Sequence, residues 1–305
     1  MSSELVERTE TTPPLAFRML SASFTFTKRQ PLAAAGLFII IFMCVIAAAA
    51  DLVTWYDPIE WRLRDKLASP FSVSDKEPFR SFIMGTDDKG RDIWAQMAVG
   101  AQVSLMVGFL SVAFGSGLGG VLGVISAWFG GKTDQVIQRA MDALMSIPTL
   151  ILALAVTAAL GQTITNIIVA VGIVQIPRAN RVVRSQALTV KESQYVDAAR
   201  AIGANNLRIM AQHITPQCIA PFLIIATSAL GIAILTEASL SYLGLGVPPP
   251  RPSWGGMLSG AARDYFILAP WMAIWPGVGL SLAVYGFNLF GDGLRDALDP
   301  RLRGT

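Results

Sequence analysis

Two glycine-rich stretches have spacings typical of phosphate-binding loops, which raises the possibility of nucleotide chemistry. The stretch GSGLGG, residues 115–120, matches G-x-G-x-x-G, but a dinucleotide site needs a preceding strand, and these glycines lie in an uncharged apolar run. The stretch GGKT, residues 130–133, ends like a phosphate loop but lacks the first glycine of that motif. Neither indicates a nucleotide site. Gly115, Gly119 and Gly123 are instead typical of a helix face that packs closely against another helix.

Other catalytic arrangements are equally poorly represented. A single histidine, His213, cannot build a zinc site, and Cys44 and Cys218 both lie in apolar surroundings. The chain therefore offers no nucleophile–base pair and no metal set, which argues against an intramembrane enzyme. Glu237 is the only carboxylate well inside an apolar run. Ion-coupled carriers usually need ionisable groups within the membrane, so a self-sufficient secondary carrier is also disfavoured.

The composition is that of an integral membrane protein. Of its 305 residues, 53% are hydrophobic and only 15% are charged, whereas a soluble domain carries about 25% charged residues. No charge occurs between Asp92 and Lys132, or between Met145 and Pro177. Uncharged runs of this length predict membrane-spanning helices, so the expected fold is all-α.

The apolar runs divide the chain into spans and polar segments. We predict six spanning helices, and the segment GQTITN separates the third from the fourth. An N-terminal signal peptide is the alternative for the first span, but the preceding polar segment is long for one. The spans are residues 31–50, 98–128, 134–160, 164–183, 216–240 and 267–290. The domains are a tail (1–30), the first span (31–50), an external loop (51–97), a core (98–292) that includes a cytoplasmic loop (184–215), and a tail (293–305).

The charge distribution predicts the orientation. With six spans and a cytoplasmic N-terminus, about 15 Lys and Arg residues lie inside and about 9 outside, as the positive-inside rule requires. Omitting the fourth span would place the six basic residues between Arg178 and Arg208 on the wrong side. Both tails are therefore expected in the cytoplasm.

The polar segment before the fifth span has a helical pattern with one break. Its first half carries an apolar stripe at i, i+3, i+4 and i+7, and Gly203 ends that helix. Asn205 or Asn206 can cap the next helix, which carries a second stripe, and Pro216 opens the fifth span. The stripes are Tyr195, Ala198, Ala199 and Ile202, then Leu207, Met210, Ala211 and Ile214. This predicts two short helices at an angle, whose small Ala-Ala face suits a helix-in-groove contact.

Four blocks of this sequence resemble permease subunits of ABC importers. The stretch DAARAIGANNLRIMAQHITP, residues 197–216, is similar to their EAA loop. The blocks at 84–108 (MGTDDKGRD onwards), 237–258 (EASLSYLGLGVPPPRPSWGGML) and 269–304 resemble the C-type permease of dipeptide, oligopeptide and nickel importers. The resemblance implies a type I importer permease fold with six helices, in a bacterial cytoplasmic membrane.

The resemblance also implies a non-catalytic role with several partners. The expected partners are a homologous B-type permease, two cytoplasmic ATPase subunits that bind ATP and Mg, and an external binding protein, with no nucleic acid. No cofactor or metal is expected on this chain. The substrate is expected to be a peptide, and nickel chelates or another small solute are the alternatives.

Particular residues acquire expected roles from the resemblance. We call residues 195–203 the coupling segment, because the matching helix of the family docks on the ATPase. It comprises Tyr195, Val196, Asp197, Ala198, Ala199, Arg200, Ala201, Ile202 and Gly203, and Pro216 belongs to the same motif. Asp87, Asp88, Arg91 and Asp92 are candidates for binding-protein contact, with an ordinary solvated charge run as the alternative. Glu237 is a candidate for the translocation path, because exposure of its carboxylate to lipid would be unfavourable, and pairing with a buried backbone group is the alternative. The sequence departs from the family pattern at three positions: Asp197 replaces Glu, Thr215 replaces Leu, and Gln102 replaces Arg.

Overall fold

A computed structural model describes residues 30–74 and 80–298 of the chain. These residues are predominantly helical and contain two isolated β-bridges but no β-strand. Residues 1–29 of the predicted N-terminal tail and 299–305 of the predicted C-terminal tail lie outside the described residues. The all-helical prediction is confirmed for the part of the chain that the structure describes.

The α-helices are named here in chain order, together with one 3-10 and one π segment. They are α1 (Pro31–Ala48), α2 (Ala50–Val53), α3 (Ile93–Phe129), α4 (Gly131–Met145), α5 (Thr149–Leu160), α6 (Ile164–Lys191), α7 (Gln194–Ala201), α8 (Asn206–Ile209), α9 (Thr215–Tyr242), α10 (Trp254–Met257), α11 (Ala261–Asp264) and α12 (Trp271–Leu298). The 3-10 turn is Leu63–Asp65, and the π-helical turn is Met210–Ile214.

Four helices within the described ranges are long and apolar enough to cross a membrane. They are Pro31–Ala48, Ile93–Phe129, the continuous helix Asn206–Tyr242, and Trp271–Leu298. A fifth span results if the bent pair α4 and α5 is counted as one. Helix α6, the predicted fourth span, is not among them, because polar residues such as Gln175 and Asn180 and three arginines interrupt its apolar sequence.

The predicted third span is wrong as a single helix. The chain bends by 95° between α4 and α5, at the three residues that precede Thr149. Pro148 accounts for the break, because its ring removes a backbone donor and disfavours helical geometry at the residue before it. Helix α4 is amphipathic and largely exposed, whereas α5 is apolar.

Glycine faces hold the long helices together. A Cβ at position 115 would lie 2.0 Å from the Gly172 carbonyl oxygen, and one at position 119 would lie 2.4 Å from the Ile176 carbonyl oxygen. Only glycine permits such a close approach of α3 and α6, so the predicted packing role of the GSGLGG stretch is confirmed. Helices α1 and α12 also approach closely, since a Cβ at position 36 would lie 2.7 Å from the Gly286 carbonyl oxygen.

The bundle has two ends of different character. Helix α3 begins beside the segments 54–74, 80–92 and 243–270. We call this the outer end, because the charge pattern predicts it to be external. Helix α3 finishes beside α7 and α8, which we call the coupling end. The two sets of predicted functional residues therefore lie at opposite ends of the molecule.

Candidate functional site at the coupling end and the outer end

The coupling segment folds as the glycine and asparagine positions predict. Helix α7 ends at Ala201, and Gly203 has φ +83°, a conformation that glycine adopts without strain. The Ala204 N–H donates to the Ala199 carbonyl oxygen at 3.1 Å, which closes the helix end. Asn205 then caps α8 by accepting from the Arg208 N–H at 2.8 Å.

The apolar stripe predicted for α7 does not face the bundle as a whole. Val196 and Ala199 are the buried residues of this helix, whereas Ile202 is 86% exposed and Tyr195 and Ala198 are also exposed. Hydrophobic spacing alone cannot distinguish a face that packs inside the chain from one that awaits a partner. Three of the four predicted stripe residues, Tyr195, Ala198 and Ile202, therefore form an exposed ridge, and only Ala199 packs inward.

The second predicted stripe is divided between a buried and an exposed side in the same way. Ile209 and Ile214 are fully buried against the bundle, while Leu207 is 74% exposed and Ala211 is exposed. We define the coupling ridge as Tyr195, Ala198, Ile202 and Leu207. Most of the two predicted apolar stripes is thus exposed at the surface of this chain.

The inner side of the coupling segment is attached firmly to α3 and α6. Lys191, at the end of α6, donates from Nζ to the Ala127 and Trp128 carbonyl oxygens at 2.9 and 2.7 Å. Those carbonyls lie in the last turn of α3, where helical partners are missing, so the ammonium group satisfies them. The Arg200 guanidinium lies 4.8 Å from the Trp128 ring centroid. The sequence motif included Arg200 but gave no indication of Trp128 or Lys191.

The acidic residue of the motif remains available to a partner. Asp197 contacts Arg200 at 3.3 Å, with the two side chains 66% and 43% exposed. An ion pair this exposed contributes little to stability. Pro216 follows the π-helical turn within the continuous helix Asn206–Tyr242, and the wider turn accommodates the proline ring.

Polar side chains also connect α4 to α6 at the coupling end. Arg184 forms a two-pronged ion pair with Asp134, whose nitrogen–oxygen distances are 2.7 and 2.5 Å. Arg181 donates to Asp142 at 2.7 Å, and Gln138 donates to Asn180 at 3.0 Å. Arg181 and Arg184, whose positive charges favour a cytoplasmic location for this end, therefore also have specific partners.

At the outer end, two of the four candidate contact residues are structural. Asp87 is only 5% exposed, and its carboxylate accepts from the Lys89 and Arg91 backbone N–H groups at 2.9 Å each. It also accepts from Arg91 Nε at 2.7 Å and Gln96 Nε2 at 3.0 Å. Asp87 therefore holds the loop together, and surface contact is left to Asp88 and Arg91.

Asp92 also has an internal role. It is 3% exposed and caps α3 by accepting from the Ala95 N–H at 3.0 Å. Its Oδ1 atom has no hydrogen-bond partner among the described residues. Burial disfavours the charged form and raises the pKa of the Asp92 carboxyl to about 6, although the backbone donors and Arg62 oppose the shift.

Glu237 is enclosed by polar side chains of this chain at the outer end. Its side chain is fully buried, where it accepts from Ser241 Oγ at 2.7 Å and from Ser104 Oγ at 3.3 Å. The Trp254 N–H donates to the same Ser104 hydroxyl at 3.3 Å. Glu237 thus connects α9, α3 and the loop at the outer end, a role that no local sequence pattern indicates.

Comparison with known proteins identifies the family. Residues 119–304 match the family described as binding-protein-dependent transport system inner membrane component, and residues 26–70 match the N-terminal membrane domain of oligopeptide transport permease C.

The described residues contain no group of histidine, cysteine or acidic side chains able to hold a metal ion.

Full-length relatives agree with this match. The chain is 39% identical over 281 residues to a dipeptide transport system permease protein of Alkalihalophilus pseudofirmus, covering 92% of this chain and 90% of the relative. It is 38% identical over 278 residues to a glutathione transport system permease protein of Pectobacterium atrosepticum, covering 91% and 89%. A Brucella suis protein, whose name provisionally assigns it to peptide transport, is 40% identical over 268 residues, covering 88% and 87%. The chain therefore belongs to the family of inner-membrane permease components of binding-protein-dependent ABC transport systems.

Proposed function

We propose that this chain is the C-type permease subunit of an ATP-driven importer of peptides, and that residues 195–203 transmit the movement of an ATPase. The coupling ridge is the observation that carries this proposal. The coupling segment exposes Tyr195, Ala198 and Ile202 on one side. Its other side is held against the bundle by Val196 and Ala199. A short helix with this division of its surface suits insertion into a groove of a partner.

The contacts behind the ridge provide a route for force. Movement of α7 would act on α3 through Arg200 and Trp128, and on α6 through Lys191, which joins the ends of both helices. Helices α3 and α6 meet along glycines at van der Waals distance, so they would move as one body. This arrangement favours a rigid-body change of the bundle over a local rearrangement.

The remaining subunits and the orientation complete the proposal. A homologous B-type permease supplies the other half of the pathway, two ATPase subunits bind ATP and Mg, and an external binding protein delivers the substrate. Six spans with cytoplasmic termini place the coupling segment beside the ATPases, with α6 and the bent pair α4–α5 as the additional crossings. The relatives named for dipeptide and glutathione transport support a peptide substrate, and a nickel chelate or another small solute is the alternative.

A substitution on the coupling ridge tests the mechanism. Ala198→Arg places a charge on the exposed ridge without disturbing the buried face, so we expect the subunit to insert normally and to lose ATPase binding and ATP-dependent uptake. Thr189→Arg, at an exposed position of α6 near the same end, is the matched control and should retain both.

Reconstituted vesicles distinguish the competing functions. Uptake of a labelled dipeptide is measured with and without ATP, and ATPase retention is measured by co-purification. Full coupling in Ala198→Arg would contradict the assignment of the ridge. Uptake by the isolated chain without ATP would identify a secondary carrier instead.

A further inference from the structure

A cavity lined by both polar and apolar residues lies at the outer end, opposite the coupling segment. Its volume is about 290 Å³, and the proline-rich segment 248–252 forms one wall. The start of α3 and the loop after α5 form other parts of the wall. A cavity of this size accommodates the end of a peptide rather than a whole oligopeptide.

The lining of this cavity is rich in hydrogen-bond donors and contains no carboxylate. Two guanidinium groups, two side-chain amides and three hydroxyl groups line it, and none of its lining residues is aspartate or glutamate. These polar residues are Arg91, Arg251, Gln96, Gln162, Ser241, Ser253 and Ser259. The Asp87 carboxylate behind this lining accepts from Arg91 and Gln96, so Arg251 supplies the net positive charge of the cavity. A lining with this charge and this many donors favours an anion with several acceptor atoms.

Both arginines can reach a ligand. Arg91 donates its Nε–H to Asp87, an interaction that fixes the side chain and leaves its terminal nitrogens without an acceptor in the described part of the chain. Arg251 is exposed and forms no ion pair with the residues that the structure describes. Two guanidinium groups on one cavity provide the planar, two-pronged geometry that carboxylates bind.

The cavity floor is held in place before any ligand arrives. Ser241 donates to the buried Glu237 carboxylate at 2.7 Å and accepts from the Val247 N–H at 3.2 Å. The Ser253 and Ser241 hydroxyl oxygens lie 3.3 Å apart, which connects both sides of the loop. Glu237 is fully buried and does not itself line the cavity, so its role is to position the loop.

We propose that this cavity receives the terminal carboxylate of the incoming peptide, with Arg251 and Arg91 as its ligands. The proposal rests on the proposed function, because it takes the substrate to be a peptide. Dipeptides and glutathione, the compounds for which two relatives are named, both carry free carboxylates. A recessed cavity whose floor consists of buried serines suits a small ligand better than the flat surface of a docked protein.

A comparison of two substrates in three variants tests the proposal. The complete complex, with its partner permease, ATPases and binding protein, is reconstituted in vesicles, and uptake of alanyl-alanine and its C-terminal amide is measured. The measured quantity is the ratio of the acid rate to the amide rate. The binding protein contributes the same preference to this ratio in every variant, so a change in the ratio between variants reports on the permease. Arg251→Gln should lower the acid-to-amide ratio roughly tenfold, the effect of losing one charged hydrogen bond.

Two further variants sharpen the outcome. Arg251→Lys keeps the charge but not the two-pronged geometry, so its acid-to-amide ratio should be intermediate. Arg263→Gln is the control, because Arg263 is an exposed residue of α11 outside this cavity, and it should leave the acid-to-amide ratio unchanged. An unchanged ratio in Arg251→Gln, with equal loss for both substrates and weaker binding-protein docking, would overturn the proposal in favour of a protein contact. An unchanged ratio and unchanged rates would exclude any role of the cavity. Absence of ATP-dependent dipeptide uptake by the unaltered complex would instead overturn the proposed function, and this proposal with it.

Discussion

The two ends of this molecule differ in how deeply their charged side chains are buried. At the outer end, charged groups are buried and hydrogen-bonded within the chain, as Asp87 and Glu237 illustrate. At the coupling end, large apolar side chains such as Ile202 and Leu207 are 86% and 74% exposed. Large apolar side chains are exposed at the outer end as well, with Ile267 at 95% and Leu268 at 70%. The clearer difference lies in the charged groups, because Asp87 and Glu237 are buried within the chain, whereas the Asp197–Arg200 ion pair of the coupling end is open to a partner.

The largest effect is expected from breaking the coupling end. Gly203→Pro imposes a negative φ where the backbone has φ +83°, and Ala199→Arg forces a long charged side chain into a buried position. Either change should abolish ATP-dependent uptake while the protein still reaches the membrane. Vesicle uptake and membrane fractionation measure the two properties, and near-normal uptake would contradict the mechanical role of this segment.

A smaller effect is expected from breaking the outer end, and it should appear in stability. Glu237→Ala leaves the hydroxyl groups of Ser104 and Ser241 without their buried acceptor, so the free energy of unfolding should fall by about 2 kcal/mol. Glu237→Gln retains an acceptor and should cost less. Thermal unfolding of the purified complex measures both.

A matched change at the coupling end sharpens this comparison. Ile202→Ala removes an exposed side chain, so it should reduce coupled uptake with little change in the unfolding temperature of the isolated subunit. If Ile202→Ala destabilised the subunit more than Glu237→Ala, the two ends would not differ as described.

The smallest expected effect is a dependence on pH at the outer end. Because burial raises the pKa of Asp92 to about 6, the folded chain binds this proton more tightly than the unfolded chain does. The stabilising contribution is present below the ordinary aspartate pKa and is lost as the pH rises through about 6. The subunit should therefore gain about 1 kcal/mol of stability from this group between pH 7 and pH 5.

Substitution of the same residue isolates that contribution. Asp92→Asn preserves an acceptor for the Ala95 N–H but does not titrate. The difference in unfolding temperature between pH 5 and pH 7 should shrink in this variant. An identical difference in both proteins would show that Asp92 is not responsible.

The sequence predicted local structure well because local patterns determine it. The positions of the long helices, the break at Gly203 and an asparagine cap after it follow from apolar runs and from backbone preferences. The close approach of α3 and α6 follows from glycines four residues apart. These features depend on neighbours within a few turns of the same helix.

The errors have a different physical origin. Helix α7 buries Val196 and Ala199 and exposes the ridge beside them, and hydrophobic spacing alone does not indicate which of these faces packs within the chain. Glu237 contacts Ser104, which is 133 residues away in sequence, so its surroundings depend on the assembled bundle. The bend before α5 was missed because uncharged residues continue through it.

The wide turn at Met210–Ile214 sets the direction in which the ridge points. A π-helical turn contains one more residue than an α-helical turn, and each residue advances a helix by about 100°. Deleting a single residue there would rotate everything before it by about that angle relative to α9. The exposed leucine of α8 would then point to a different side of the molecule, although every residue of the coupling segment would still be present.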